Sequence, residues 1–449
     1  MQNSLIRGNR IYNGKWSSGA GAAASAADIL LYSGAASERH IIDGNHCLSN
    51  NSQGIFSTAL GFDGDVILSN NICVTLDPAT CTETGTWSLI ANGGNRRHGI
   101  VISYITAQAG RPRTIVNANL CRNTIWTGIY KQGESDGEVI ISNNICDLNG
   151  YDVTNTLSGG VYIDSAANVN INGNSISNFQ NTAISTGGIT INDSTTQNIP
   201  GLVSNNKIIN SLGAGIALGT FSKLITINNN VISSSGERDI YIVHSAGSAL
   251  VGGHTITNNT IYRTTGNNIT GIFIDLQNST RVTTVKNNYI RGANNANNSV
   301  NNAGIFIRQS TNLIQTDGNI VENFYYGFHS SAYYGGGRLL DRVIQNNIIR
   351  DCAVGFDVSA TDNNSTLPLV NNVFINTTTQ VDNTLGFVVG RIVQRLGNSL
   401  IWQTTSVPTV GSWAVGDRSQ NSAPAVGSPK AWACTVTGNP GTWVSEGNL

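Results

Sequence analysis

The apolar residues of this chain alternate with polar ones in short bursts, and the bursts come back in a fixed order. A β-branched run is followed by Asn-Asn or Gly-Asn, and an apolar residue stands two places beyond the last asparagine. "VILSNNIC", "VIISNNIC", "VNINGNSI", "LITINNNVI", "HTITNNTI", "TTVKNNYI" and "RVIQNNII" are examples. The last asparagine of each unit is Asn9, Asn45, Asn71, Asn119, Asn144, Asn174, Asn206, Asn230, Asn259, Asn288, Asn319, Asn347 or Asn372. From Asn119 onward the spacings are 25, 30, 32, 24, 29, 29, 31, 28 and 25 residues. After each asparagine a second phrase follows, of the form Gly-(Ile/Val/Phe)-x-(Ile/Val)-x: "GIYKQ", "GVYID", "GITIN", "GIALG", "GIFID", "GIFIR". In "DIYIV" Asp239 stands in place of the glycine.

Alternation with period two predicts strands, and recurrence of the whole unit every few tens of residues predicts a repeat architecture. Units of two helices would need a 3.6-residue pattern, and none is present. The constant register of the two phrases favours stacked parallel strands over hairpins. We therefore expect an all-β parallel solenoid of about thirteen coils over residues 1–395. The asparagines then sit at corners, where the left-handed backbone conformation is tolerated by Asn and Gly. Their amides, stacked at the strand spacing of about 4.8 Å, are placed to hydrogen-bond in a ladder.

The residue two places after each ladder asparagine forms one inward stack. It is Ile11, then Cys47, Cys73, Cys121 and Cys146, then Ile176, Ile208, Ile232, Ile261, Ile290, Val321, Ile349 and Phe374. Four cysteines replace isoleucine in a line. Thiols in a line do not converge as zinc ligands do, and parallel stacked side chains rarely meet disulfide geometry. They are expected to be buried thiols acting as small apolar residues. The total of seven cysteines is odd, so at least one has no intrachain partner.

In the glycine phrase the residue between the two apolar positions points outward. Those residues are Phe56, Val101, Tyr130, Tyr162, Thr190, Ala217, Tyr241, Phe273, Phe306, His329, Asp357 and Val388. Such a row of aromatics either stacks on sugar rings or is covered by a loop or another subunit. Tyr130, Tyr162, Tyr241, Phe273, Arg308, His329 and Asp357 are the candidate substrate-binding residues, and His329 and Asp357 are expected to touch.

Only 11% of residues are charged, against roughly 25% in ordinary globular proteins, so acidic clusters stand out. One is the loop "KQGESDGE", with Glu134, Asp136 and Glu138, and Asp164 one coil later. Another is Glu237 and Asp239, with Asp275 one coil on and Arg308 on the next. Glycosidic hydrolysis commonly uses two carboxylates roughly 5–10 Å apart, which makes Glu134, Asp136, Asp164, Glu237, Asp239 and Asp275 the catalytic candidates. A lyase would instead pair a base with a cation such as Arg308 or Arg281.

Composition narrows the class. The chain has 449 residues, 50 glycines and 59 asparagines, which disfavour helix, while 39% hydrophobic residues disfavour disorder. A net charge of −1 gives no basic footprint for nucleic acid. No apolar run reaches the ~20 residues of a membrane span, and the first residues do not read as a signal peptide. No metal or cofactor is expected.

The repeat resembles the right-handed, single-stranded parallel β-helix of pectate-lyase-like proteins and many phage tailspikes, over residues 3–395. Residues 396–449, with Trp413, Trp432 and Trp443 among Pro and Gly turns, read as a small C-terminal β module. Its phrases "GSWAVGD", "NSAPAVG" and "AWACTVTGNPGTW" resemble a C-terminal element of bacteriophage tailspikes, including those that attack encapsulated bacteria. The resemblance implies a homotrimeric receptor-binding protein of the virion tail, made in the host cytoplasm. It implies a capsular polysaccharide as ligand and depolymerase activity, with glycoside hydrolysis ahead of lyase or epimerase chemistry. A non-enzymatic adhesin is the alternative from another class. Tailspikes usually carry an attachment region for the virion baseplate ahead of the helix. Here the repeat runs already at "SLIRGNRI", so that region is expected to be missing, unless "GAGAAASAADILLY" covers this end as a short helix.

Overall fold

The computed structural model describes residues 3–12, 27–33, 39–49, 53–59, 65–75, 98–104, 113–124, 126–132, 137–150, 158–164, 168–182, 185–192, 201–219, 224–233, 236–244, 252–263, 269–276, 281–293, 296, 298–299, 301–308, 314–331, 343–358, 369–382, 394–396, 399–409, 413–438 and 440–449. Among these residues every helix or strand assigned is a strand. Three sheets have thirteen strands each, and each sheet takes every third strand of the chain. That order is the signature of a parallel β-solenoid. The first sheet holds the strands before the paired asparagines, such as Glu138–Ser142. The second holds the short strands after them, such as Ile145–Asp147. The third holds the glycine phrases, such as Gly159–Ile163.

Two compact units are present: Met1–His244 with Asn259–Thr264, and Ser245–Asn258 with Thr265–Leu449. In the first, each ladder asparagine is aligned with the next. The backbone N–H and Nδ2 of Asn144 both donate to Oδ1 of Asn174 at 2.9 Å, and Nδ2 also donates to the carbonyl of Val116. The same arrangement links Asn119 to Asn144 and Asn206 to Asn230. In the second unit it links Asn288, Asn319, Asn347 and Asn372. The paired asparagines divide the work. The first of each pair takes the left-handed backbone, with φ of 55° at Asn143 and 54° at Asn229, and is exposed. The second is buried, or half-buried at Asn372, and builds the ladder.

Register holds residue for residue. Cys47, Cys73, Cys121 and Cys146 are successive partners on the second sheet, followed by Ile176. All four are thiols outside any disulfide, with at most 2% exposure. Each buried isoleucine in that column contributes roughly 2 kcal/mol through removal of apolar surface. The glycine of the third-sheet phrase is required by close approach: a Cβ on Gly128 would lie 2.6 Å from the Gly160 carbonyl and 2.9 Å from Cys146 Sγ.

The strand Ala27–Ser33, which takes in the end of the segment considered as a covering helix, belongs to the third sheet. Gln394–Leu396, Ser399–Thr404, Arg418–Asn421, Ala431–Val436 and Thr442–Ser445 form a separate five-stranded sheet, antiparallel except between its second and third strands. Trp413 is buried there, edge-on to Trp443 at 4.9 Å.

Candidate functional site on the third sheet

The outward column aligns as its spacing predicts. In the first unit Phe56, Val101, Tyr130, Tyr162, Thr190, Ala217 and Tyr241 are successive partners. In the second unit Phe273, Phe306, His329 and Asp357 follow one another. The next partner is Asp382, whereas Val388 lies outside the described residues.

Of the two readings of this row, open platform or covered stripe, the burial of its described aromatics fits the covered one. Tyr130 is 0% exposed, and Tyr162 and Phe273 are equally enclosed. Val101, Tyr130 and Tyr162 form a buried cluster of their own. His98 stacks on Tyr130 with ring centroids 4.7 Å apart, and Tyr162 packs at 5.5 Å from the same ring. The Tyr162 hydroxyl accepts from Asn192 Nδ2 at 3.4 Å. These aromatics are packed, not presented as open platforms for sugars. Tyr241 is half-buried, with the Arg238 guanidinium 4.6 Å over its ring.

The column gains polar chemistry in the second unit. Nδ1 of His329 lies 2.5 Å from Oδ2 of Asp357, and both residues are buried. Phe306 meets the imidazole edge-on at 4.4 Å, and Tyr326 lies at 5.1 Å on a tilt. Tyr326 is itself fixed by a hydrogen bond from its hydroxyl to Asn298 Oδ1 at 3.1 Å. Two residues along the same strands, Arg308 Nε is 3.5 Å from Asp275 Oδ2. Residues two apart on a strand share a face, so Phe273 with Asp275, Phe306 with Arg308, and His329 with Ser331 project to one side. That side combines an imidazole oriented by a carboxylate, a partly exposed guanidinium and a second carboxylate. It is suited to proton transfer next to a stabilised negative charge.

The remaining candidates are dispersed. Glu134 and Asp136 lie outside the described residues. Asp164 is where register puts it, its N–H donating to the Lys131 carbonyl at 2.9 Å, just before that loop. Glu138 begins a first-sheet strand and is half-buried. Glu237 is exposed, whereas Asp239 is fully buried with Arg263 Nε 2.8 Å from its Oδ2. Arg263 also donates to the Gly236 carbonyl. Asp239 is therefore part of an interior ion pair that accommodates an acid in the glycine column, and it is not set beside Glu237 as an open acid pair.

No family model, no curated protein and no solved structure matches this chain. The fold and the side chains therefore carry the functional reading.

The cysteine stack is a closed interior feature. Hydrogen bonding with Cys146 and Cys73, reinforced by burial, raises the Cys121 thiol well above its ordinary value. Burial pushes Cys352 up to about 12. Among the described residues no three His, Cys, Asp or Glu side chains gather in a way that could hold a metal ion.

Two groupings were missed by the sequence reading. Arg263 is one, and its only signal was the exception at Asp239. The other lies on the second sheet, where Arg291, Glu322 and Arg350 are successive partners. The signal was the third residue after the ladder asparagine in "NNYIR", "GNIVE" and "NNIIR".

Proposed function

We propose that this protein binds and depolymerises a bacterial surface polysaccharide, acting as the receptor-binding spike of a bacteriophage tail. The observation that carries the reading is the His329–Asp357 pair on the same sheet face as Arg308 and Asp275. A parallel solenoid is compatible with polysaccharide-binding and depolymerising proteins, although fold alone hosts many functions. In this reading Asp357 orients the imidazole, His329 moves the proton at the glycosidic oxygen, and Arg308 sits against a negatively charged group of the polymer, while the positive charge that hydrolysis develops on the sugar ring falls to a carboxylate. Asp275 supplies the second carboxylate for hydrolysis, our leading reaction. At 2% exposure the His329 ring meets substrate only when its neighbours give way.

Lyase chemistry is the second reading, favoured by the presence of both a base and a guanidinium on this face. The phage assignment, with a homotrimer and a baseplate attachment, rests on the phrases shared with tailspike C-terminal elements. The test is incubation with capsules of many serotypes and mass analysis of released oligosaccharides. Hydrolysis adds water across each cleaved bond, and lyase action leaves an ultraviolet-absorbing unsaturated end. Intact polymer across the panel would sink the enzyme reading and leave an adhesin.

A further inference from the structure

Among the described residues of the second unit, the outward face of the second sheet is more open than the mostly buried column of the third. Its inward column, Ile290, Val321 and Ile349, is 0% exposed. By alternation, two rows face the other way. One row is Tyr289, Ile320, Ile348 and Val373, and the other is Arg291, Glu322, Arg350 and Ile375. The apolar row is half-buried or exposed along its length, ending with Val373 at 49% exposure, and Ile375 ends the other row at 43%.

Glu322 organises the polar row. Its side chain is 8% exposed, and both oxygens are taken. Oε1 accepts from the Tyr289 hydroxyl at 2.5 Å and lies 3.4 Å from Arg291 Nε, while Oε2 is held by Nε and Nη2 of Arg350. One carboxylate thus fixes two guanidiniums and leaves a formal excess of one positive charge. A guanidinium has five N–H donors. Arg291 uses Nε here and Arg350 uses Nε and Nη2, and their side chains are 57% and 42% exposed. The two arginines stand two rungs apart, about 10 Å along the stacking direction.

We propose that this face is a docking surface for an acidic polysaccharide. The chain lies along the apolar row, with anionic oxygen groups on alternate sugars seated on Arg291 and Arg350. Charge complementarity selects the occupant. Sugar rings cover the Tyr289–Val373 row, and anionic groups take the guanidinium donors that Glu322 leaves over. The proposal rests on the polysaccharide reading but names its chemical class, and it puts binding on a different sheet from His329.

The test is affinity electrophoresis of the full chain through gels containing polygalacturonate, polysialic acid, neutral dextran or single-stranded DNA. Retardation is expected in at least one acidic polysaccharide, little in dextran, and less in DNA at matched charge and salt. The Arg291→Gln/Arg350→Gln variant is expected to bind at least tenfold more weakly. Arg291→Lys/Arg350→Lys recovers part of that loss. Melting curves of each variant establish that it is folded. Retention unchanged in the glutamine variant, equal retention in dextran or DNA, or none in either acidic polymer overturns the proposal. If this binding holds while no capsule is cleaved, depolymerisation fails and docking stands. Cleavage with no arginine dependence gives the reverse.

Discussion

His329 and Asp357 are neighbours across two parallel strands, and the imidazole Nδ1 is 2.5 Å from the carboxylate. An imidazole held this way presents its other nitrogen in a fixed direction. Asp357→Asn keeps the shape and removes the charge that favours one tautomer. Depolymerisation is expected to fall by roughly 100-fold or more, with polymer binding retained. Reducing-end release and gel retention, measured on the same preparation, check both halves. Equal activity in wild type and variant would remove the pair from the mechanism.

Arg263 and Asp239 make a different kind of pair, buried on both sides. Removing one partner strands a charge in the interior, at a cost of about 3–5 kcal/mol. Arg263→Met should therefore lower stability in denaturant unfolding by about that much. Asp239→Gly combined with Arg263→Met restores the glycine that other coils use, and should be markedly more stable than the single variant. A double variant no better than the single would show that the pair does more than compensate for its own burial.

The ladder separates two asparagine roles that single substitutions can distinguish. Asn144→Ala leaves the Asn119 N–H and the Val116 carbonyl without these buried partners, and should cost about 3 kcal/mol or more. Asn143→Ala forces alanine to φ near 55°, which costs about 1 kcal/mol, whereas Asn143→Gly should be close to neutral. Thermal unfolding of the three variants gives the ranking.

Cys352 sets a pH dependence. Its folded value is raised to about 12 by burial, above about 8.5 for an unfolded thiol. Between those values the unfolded chain releases a proton that the folded chain keeps, so stability is present below pH 8.5 and declines as pH rises. The slope is about 1.4 kcal/mol per pH unit. Cys352→Val removes that contribution, so its denaturation midpoint should fall less steeply between pH 9 and 11 than that of the parent chain.

The solenoid and its register were legible because both rest on local rules. A period of two assigns each residue a face, and one asparagine per coil fixes the phase, so the Cys47–Cys146 column could be read to the residue. Whether Tyr130 and Tyr162 were open or covered was not legible, because facing away from the solenoid interior says nothing about what packs over that face. Asp239 looked catalytic because acids are rare here, and its partner Arg263 lies 24 residues further on, at a position no motif marks. The Arg291–Glu322–Arg350 row escaped notice because each charge is ordinary in its own coil. It becomes a feature only when three coils are stacked.

The asparagine ladder also has a direction. Within each unit every rung donates its backbone N–H and its amide to the oxygen of the rung that follows in the chain. A newly made coil therefore ends with a backbone N–H whose ladder acceptor is supplied by the next coil off the ribosome, while its amide already holds a carbonyl of the coil behind. Growth from the amino end and completion of the ladder run the same way, so synthesis itself supplies the order in which the coils close.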